Sequence, residues 1–506
     1  MVFDSRARIL AALAALAIAP VLAHCSAASG PTIPESSGSS SGSSNSGSDD
    51  SDSGSSGESS GDLGSGSSSG NVGDDSSTGD DGGTSVLGVD GGACAANTMY
   101  PQPGNTFVPL AIAPGTKVVQ GQSDTIPDAG VAPPTGWDFH QGGLCRDGSP
   151  AGFYVHFSAS ASTKLYIYLE GGGACDSATF CTHNPANLNS VFSGGAASQG
   201  QTIGGSLTFT TAPQEPYVAS NGYSPGIFDF TNTANPFKDW NAVYVPYCTG
   251  DVHFGTKDNV DIPDQGITAG VKAQHFVGRK NLEGYISRIV PTFPGLTQVM
   301  LTGASAGGFG AGLNYGMVQD SFGKVPVIVL DDSGPPFSST YLPACLQKQW
   351  RDLWGFDAAL PSDCTECNMP DGSGLTNVVY YWLHKYPHAR VGVVSTMQDE
   401  VIRLFFAQGN MMCASDDATL LAVGQVGGYT GMQYTMGLDE LLSTFQCTGR
   451  LATYLIGGMN PMYMNPTYHQ HIFRNEFYQA IDNAGTMTMA AWAQDFIDGK
   501  LEQVGP

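Results

Sequence analysis

Positive charge is scarce in this 506-residue chain: 20 lysines and arginines stand against 45 aspartates and glutamates, a formal net charge of −25. A surface so poor in cations has no electrostatic footprint for a phosphate backbone, which excludes nucleic acid as a partner. Paired cysteines at zinc spacing are missing too. Cys364-x-x-Cys367 stands without a second pair, and without the strand and helix that a thioredoxin-like redox site requires. Neither a metal nor an organic cofactor is therefore expected. Long apolar runs are confined to the start of the chain, where Arg6 and Arg8 precede a run from Ile9 to Ala23. That run is too short for a comfortable membrane span and reads as a secretory signal.

The leader ends in Leu22-Ala23-His24-Cys25, which resembles a bacterial lipobox, although His24 departs from the small residue usual before the cysteine. Cys25 is thus the expected lipidation site, and such an anchor would be the only tie to a membrane. Residues 26–92 are Ser, Gly and Asp with eleven acids and neither Lys nor Arg. Too little apolar surface is present to offset the entropy of ordering, so a disordered tether is expected, with a span of roughly 45 Å. The organisation read from composition is a leader over 1–25, a linker over 26–92 and a folded domain over 93–506. The 11 cysteines include ten beyond Cys25, an even number that argues for disulfides in an exported chain, at the cell surface or secreted.

Within the folded part, short apolar runs of strand length recur at Gly152–Phe157, Lys164–Leu169, Ala242–Val245, Gln298–Thr302, Val325–Leu330, Ala389–Ser395 and Leu451–Ile456. Several are apolar throughout, as parallel strands buried on both faces are. Helix-length stretches lie between them, at Ala269–Ile289, Gly310–Gln319 and Leu375–Lys385. The alternation predicts an α/β domain built on a mostly parallel sheet flanked by helices, with loop insertions.

The loops that follow strands carry the chemistry in such folds. Gln298–Gly312 predicts a strand, a tight turn and a helix, with Ser305 between Gly303 and Gly307 in the G-x-S-x-G spacing of a nucleophile elbow. The pattern alone says little here, because the linker repeats it around Ser40, Ser59 and Ser68. The apolar strand before Ser305 and the helix after it set this copy apart. The N–H of Ala306 then faces the oxygen of an attacked carbonyl. Three consecutive glycines, Gly171 to Gly173, follow an earlier strand and leave backbone N–H groups approachable for the same oxygen. An acid is expected next in the chain and a histidine after it. Asp399 follows one strand, and Asp331 and Asp332 follow another. His469 and His471 are the only histidines beyond Asp399, and His471 is preferred because it leads into a helix-like segment, Arg474–Asn483.

Several segments together resemble the pectin acetylesterase/Notum family of carboxylesterases: Cys145–Tyr154, Leu169–Cys175, Val245–Val252, Gly303–Gly308, Asp332-Ser333-Gly334 and, more loosely, Gln398–Val401. The resemblance implies an α/β-hydrolase fold with Ser305 as nucleophile, Asp399 as acid, and oxyanion donors at Gly172, Gly173 and Ala306. It also implies a structural role for Asp331–Asp332 and bridges between Cys145 and Cys248 and between Cys175 and Cys181. The other six cysteines allow fifteen pairings. The resemblance fades beyond Glu400, so the histidine rests on chain order.

The expected reaction is hydrolysis of an ester through an acyl-enzyme. A chain this acidic should repel a polyanion, so the expected substrate is an acetylated polysaccharide that is neutral or largely esterified. Alternatives are a deacylase of longer acyl esters on lipid or protein, a non-catalytic carbohydrate-binding surface lipoprotein, and a peptidase. A methionine set comprising Met411, Met412, Met432, Met436, Met459, Met462 and Met464 reads as core or lid filling, with an acyl pocket as its alternative. The sequence leaves the oligomeric state open.

Overall fold

The computed structural model describes residues 114–505 except 128–132, 134, 183, 193–201, 204–206, 209–225, 265–268, 413–427, 447, 458–468 and 483–484. Cys25, the 26–92 linker, Met459, Met462 and Met464 lie outside the described residues, as do the side chains of Met411 and Met412.

Nine strands form one sheet in the order β1-β2-β4-β3-β5-β6-β7-β8-β9. They are β1 (Asp138–Leu144), β2 (Pro150–His156), β3 (Lys164–Leu169), β4 (Asn241–Val245), β5 (Gln298–Ala304), β6 (Val327–Asp332), β7 (Val391–Thr396), β8 (Leu451–Ile456) and β9 (Gln503–Val504). β2 runs antiparallel to both of its neighbours, and every other pairing is parallel. This is the α/β-hydrolase fold.

The apolar runs are continuous because the sheet is covered on both sides. Along β3, Leu165, Ile167 and Leu169 enter one buried cluster, and Tyr166 and Tyr168 enter the other. Val299 and Leu301 of β5 join the first cluster and Met300 the second, the period of two that a strand imposes. The first face is covered by α1 (Gly278–Thr292), α2 (Ala306–Phe322), α3 (Ala344–Trp354), α4 (Asn377–Lys385), α5 (Glu400–Met412) and α6 (Gly431–Gln446). The second face packs against α7 (Met489–Ile497) and the segments around Ile227 and Phe477.

Local departures from the sequence reading have physical causes. Ala269–Ile289 divides into a strand, Val271–Phe276, which pairs with Lys257–Ile262, and then α1. Asp138–Leu144 is a strand despite its polar composition, because β2 supplies the pairing. Arg474–Asn483 holds only the single 3₁₀ turn Asn475–Tyr478. Met432 and Met436 are largely exposed on α6 and so fill neither a core nor a pocket.

Candidate active site

Strand register brings the site together. Leu169 of β3 pairs with Gly303 of β5, Ala304 of β5 with Asp332 of β6, and Asp332 with Val394 of β7. The loops leaving four adjacent strands therefore emerge side by side at their carboxyl ends.

Ser305 occupies the turn between β5 and α2 with φ 58° and ψ −120°, a strained backbone for a residue bearing a side chain. The turn is possible only because its neighbours lack side chains. A Cβ on Gly303 would stand 2.4 Å from the carbonyl oxygen of Gly307, and one on Gly307 would stand 1.9 Å from that of Leu169. Ala306 is the first residue of α2. Its N–H therefore has no partner within the helix, and the helix dipole favours negative charge beside it.

The glycine loop Gly171–Gly173 folds over the elbow. A Cβ at Gly171 would lie 3.0 Å from Cβ of Ser305 and 2.6 Å from Nε2 of Gln470. Gly172 and Gly173 adopt φ 153° and 80°, conformations that only glycine takes readily. The loop is braced at its root. The carboxylate of Glu170 accepts the N–H of Tyr247 at 2.8 Å, and the carbonyl of Glu170 lies 2.8 Å from Nε2 of His253. Burial lowers the pKa of His253 to about 4. The ring is therefore neutral at pH 7 and donates to that carbonyl. Val252 is held at φ 48°, unusual for a β-branched residue, with its N–H donated to the hydroxyl of Tyr247 at 2.8 Å.

Asp399 is fully buried where β7 leads into α5. Its Oδ1 accepts the N–H groups of Val401 and Ile402, both at 3.0 Å, which caps the helix. Its Oδ2 lies 2.6 Å from Nδ1 of His469. The histidine that meets Asp399 is thus His469, and the preference for His471 is corrected. Gln470 between them has φ 66°, which breaks the extended geometry in which residues two apart share a face. The ring of His471 is buried, and burial holds its pKa well below the ordinary value, with Arg474 and His469 adding to the shift.

Asp332 takes a different place from that of a rival acid. Its backbone carbonyl accepts the N–H of Ser305 at 2.7 Å, while its Oδ2 accepts the N–H groups of His471 at 2.6 Å and Ile472 at 2.9 Å. Ser333 donates its hydroxyl to Oδ1 of Asp332 at 2.9 Å and accepts the N–H of Gln470 at 3.1 Å. The Asp332–Ser333 corner thus secures both the elbow and the histidine loop. Asp331, fully buried, accepts the N–H of Gly334 at 2.9 Å, and burial together with Asp332 pushes its carboxyl well above the usual range.

An apolar cavity of about 20 Å³ opens at Ser305, lined by Gly173, Ala306 and Val252 and walled by Phe309, Trp350 and Phe405. These aromatic residues were missed in the sequence, where bulky apolar residues in helix-length segments read as core. Three bridges lie among the described residues: Cys145–Cys248, Cys175–Cys181 and Cys364–Cys367. Cys364-x-x-Cys367 is therefore a bridged turn, and among the described residues no group of three potential ligands could hold a metal ion.

Residues 137–372 match the model of the family described as pectinacetylesterase. Over that segment the chain is similar to the pectinacetylesterases. The chain is also similar to the palmitoleoyl-protein carboxylesterase NOTUM of Drosophila melanogaster, at 28% identity over 237 residues, 44% of this chain and 31% of that protein. Notum1' of Xenopus laevis, a palmitoleoyl-protein carboxylesterase, is 30% identical over 197 residues, 38% of this chain and 34% of its own length. The chain spans about a third of the length of these curated relatives. Among solved structures, the Wnt deacylase Notum from Drosophila aligns with a TM-score of 0.44 and 22% identity, covering 72% of this chain and 96% of that one.

Proposed function

We propose that this chain, similar over residues 137–372 to the pectinacetylesterases, is an exported serine carboxylesterase that removes short acyl groups, acetyl above all, from a polysaccharide. The observation that carries the reading is the 2.6 Å contact between Asp399 and His469, on the loop that the Asp332–Ser333 corner ties to the strained elbow of Ser305. Asp399 fixes the imidazole with its proton on Nδ1, leaving Nε2 as the base that takes the proton from Ser305 Oγ. Attack on the ester carbonyl forms a tetrahedral oxyanion, which the N–H groups of Gly172, Gly173 and Ala306 stabilise. His469 then protonates the departing alcohol, and water releases the acid from the acyl-enzyme by the same route in reverse.

The size of the cavity supports a short acyl group. A space of about 20 Å³ is little more than one water needs, enough for the methyl of an acetyl group. The net charge of −25 favours a neutral or esterified polysaccharide over a polyanion. A second reading, a deacylase of longer chains, draws on a second apolar cavity of about 20 Å³ behind Phe309 and Trp350. Export is supported by the apolar leader and the disulfides, and anchoring through Cys25 by the lipobox-like sequence.

Initial rates on p-nitrophenyl esters from acetate to octanoate test the proposal. Acetate is expected to be turned over fastest, and Ser305→Ala to abolish turnover while leaving the thermal melt unchanged. Wild-type rates that rise with chain length would replace the acetyl reading with the deacylase one. Undiminished activity in Ser305→Ala would remove the serine mechanism.

A further inference from the structure

The peptide between Gly172 and Gly173 has a mechanical problem. With glycine on both sides, no side chain restrains rotation of its plane, yet an oxyanion donor must be fixed before the charge forms. The structure supplies a restraint from outside the loop. Nδ2 of Asn184 donates to the carbonyl oxygen of Gly172 at 2.7 Å. In a trans peptide the C=O and the following N–H point in opposite directions. Gripping the oxygen of Gly172 therefore turns the N–H of Gly173 away from Asn184, on the residue that lines the cavity at Ser305.

Asn184 is itself held. Its N–H donates to the carbonyl of Phe180 at 3.0 Å, and its own carbonyl accepts Nη2 of Arg146 at 2.7 Å. The same Nη2 donates to the carbonyl of Cys181 at 2.9 Å, and Nη1 bonds to Oε1 of Gln274. Arg146 is buried, and its backbone N–H donates to the carbonyl of Cys248 at 2.8 Å. The Cys145-Arg146-Asp147-Gly148 segment, to which the ester chemistry assigns no part, thus ends two hydrogen bonds away from the oxyanion loop.

We propose that Asn184 is a positioning residue of the oxyanion hole: it sets the plane of the Gly172–Gly173 peptide, and Arg146 holds Asn184 in place. The inference rests on the serine esterase reading above. Asn184→Asp tests it with almost no change in volume. A carboxylate cannot donate to the Gly172 oxygen, whereas a protonated carboxyl can. On p-nitrophenyl acetate, kcat should fall about 10- to 100-fold with KM within about twofold, a fraction of the loss from removing a donor outright. The ratio of variant to wild-type kcat should rise as pH is lowered from 8 to 5. Nonspecific damage to the fold would leave that ratio independent of pH. Should the variant fail to fold, Asn184→Ala carries the same division between kcat and KM. A kcat within twofold of wild type, a loss confined to KM, or a ratio independent of pH would overturn the proposal. An inactive wild type, or activity surviving in Ser305→Ala, would instead overturn the esterase reading. An active wild type, a dead Ser305→Ala and a normal Asn184→Asp would sink this inference alone.

Discussion

Asp399 gives one carboxylate oxygen to Nδ1 of His469 at 2.6 Å and the other to the first N–H groups of α5. The two functions can be separated by substitution. Asn in its place keeps an acceptor for the helix cap but no longer selects the correct imidazole tautomer, whereas Ala loses both. Asp399→Asn is expected to lower kcat by about 10⁴-fold with little change in melting temperature. Asp399→Ala should match it in kcat and in addition lose about 1 kcal/mol of stability from the missing cap. Steady-state kinetics and thermal melts on the two variants check this.

The two histidines give a second contrast. His469→Ala should lower kcat by about 10³-fold or more, whereas His471→Asn should retain activity and act through stability, because its ring is buried. Comparable kcat losses in folded forms of both variants would count against the assignment of the base to His469.

Acyl length should be set by Phe309, which lines both the cavity at Ser305 and the one behind it. Phe309→Ala is expected to join the two and to raise the rate on octanoate relative to acetate about tenfold, the worth of burying roughly two more CH₂ groups at about 0.8 kcal/mol each. Competition between the two esters measures the ratio directly.

A pH effect on stability follows from His253, whose pKa burial lowers to about 4. In the unfolded chain the ring titrates near 6.5. Between pH 6.5 and 4 the unfolded state binds the extra proton, so this group's contribution to stability is present at pH 7 and is lost as pH falls through that window. Denaturant melts of wild type and His253→Gln should diverge at neutral pH and converge toward pH 4. Taking the difference between them cancels the opposing contribution of buried carboxyls such as Asp251, which burial raises to about 6.

Much of the fold was legible because residues such as Tyr166, Ile167 and Tyr168 are apolar in succession, as a strand covered on both faces requires. β1 was not, since Gln141, Gly142 and Gly143 owe their place to pairing with β2 rather than to their own composition. At the site, the sequence spacing around Ser305 marked a sharp turn, but the sequence reading chose His471, whereas the choice falls on His469. That choice depends on the positive φ of Gln470, a non-glycine residue whose conformation is imposed by tertiary contacts such as its bond to Ser333. Asn184 left no signal at all, because its partner is a backbone carbonyl and any sequence can supply one.

The bridge between Cys145 and Cys248 closes a loop 103 residues long, which contains the glycine loop Gly171–Gly173, Asn184 and the shorter Cys175–Cys181 bridge. For anyone producing the protein, oxidation becomes part of making the site. Chain synthesised in a reducing cytosol would lack these ties, and soluble yield there would be a poor guide to the fraction of active molecules.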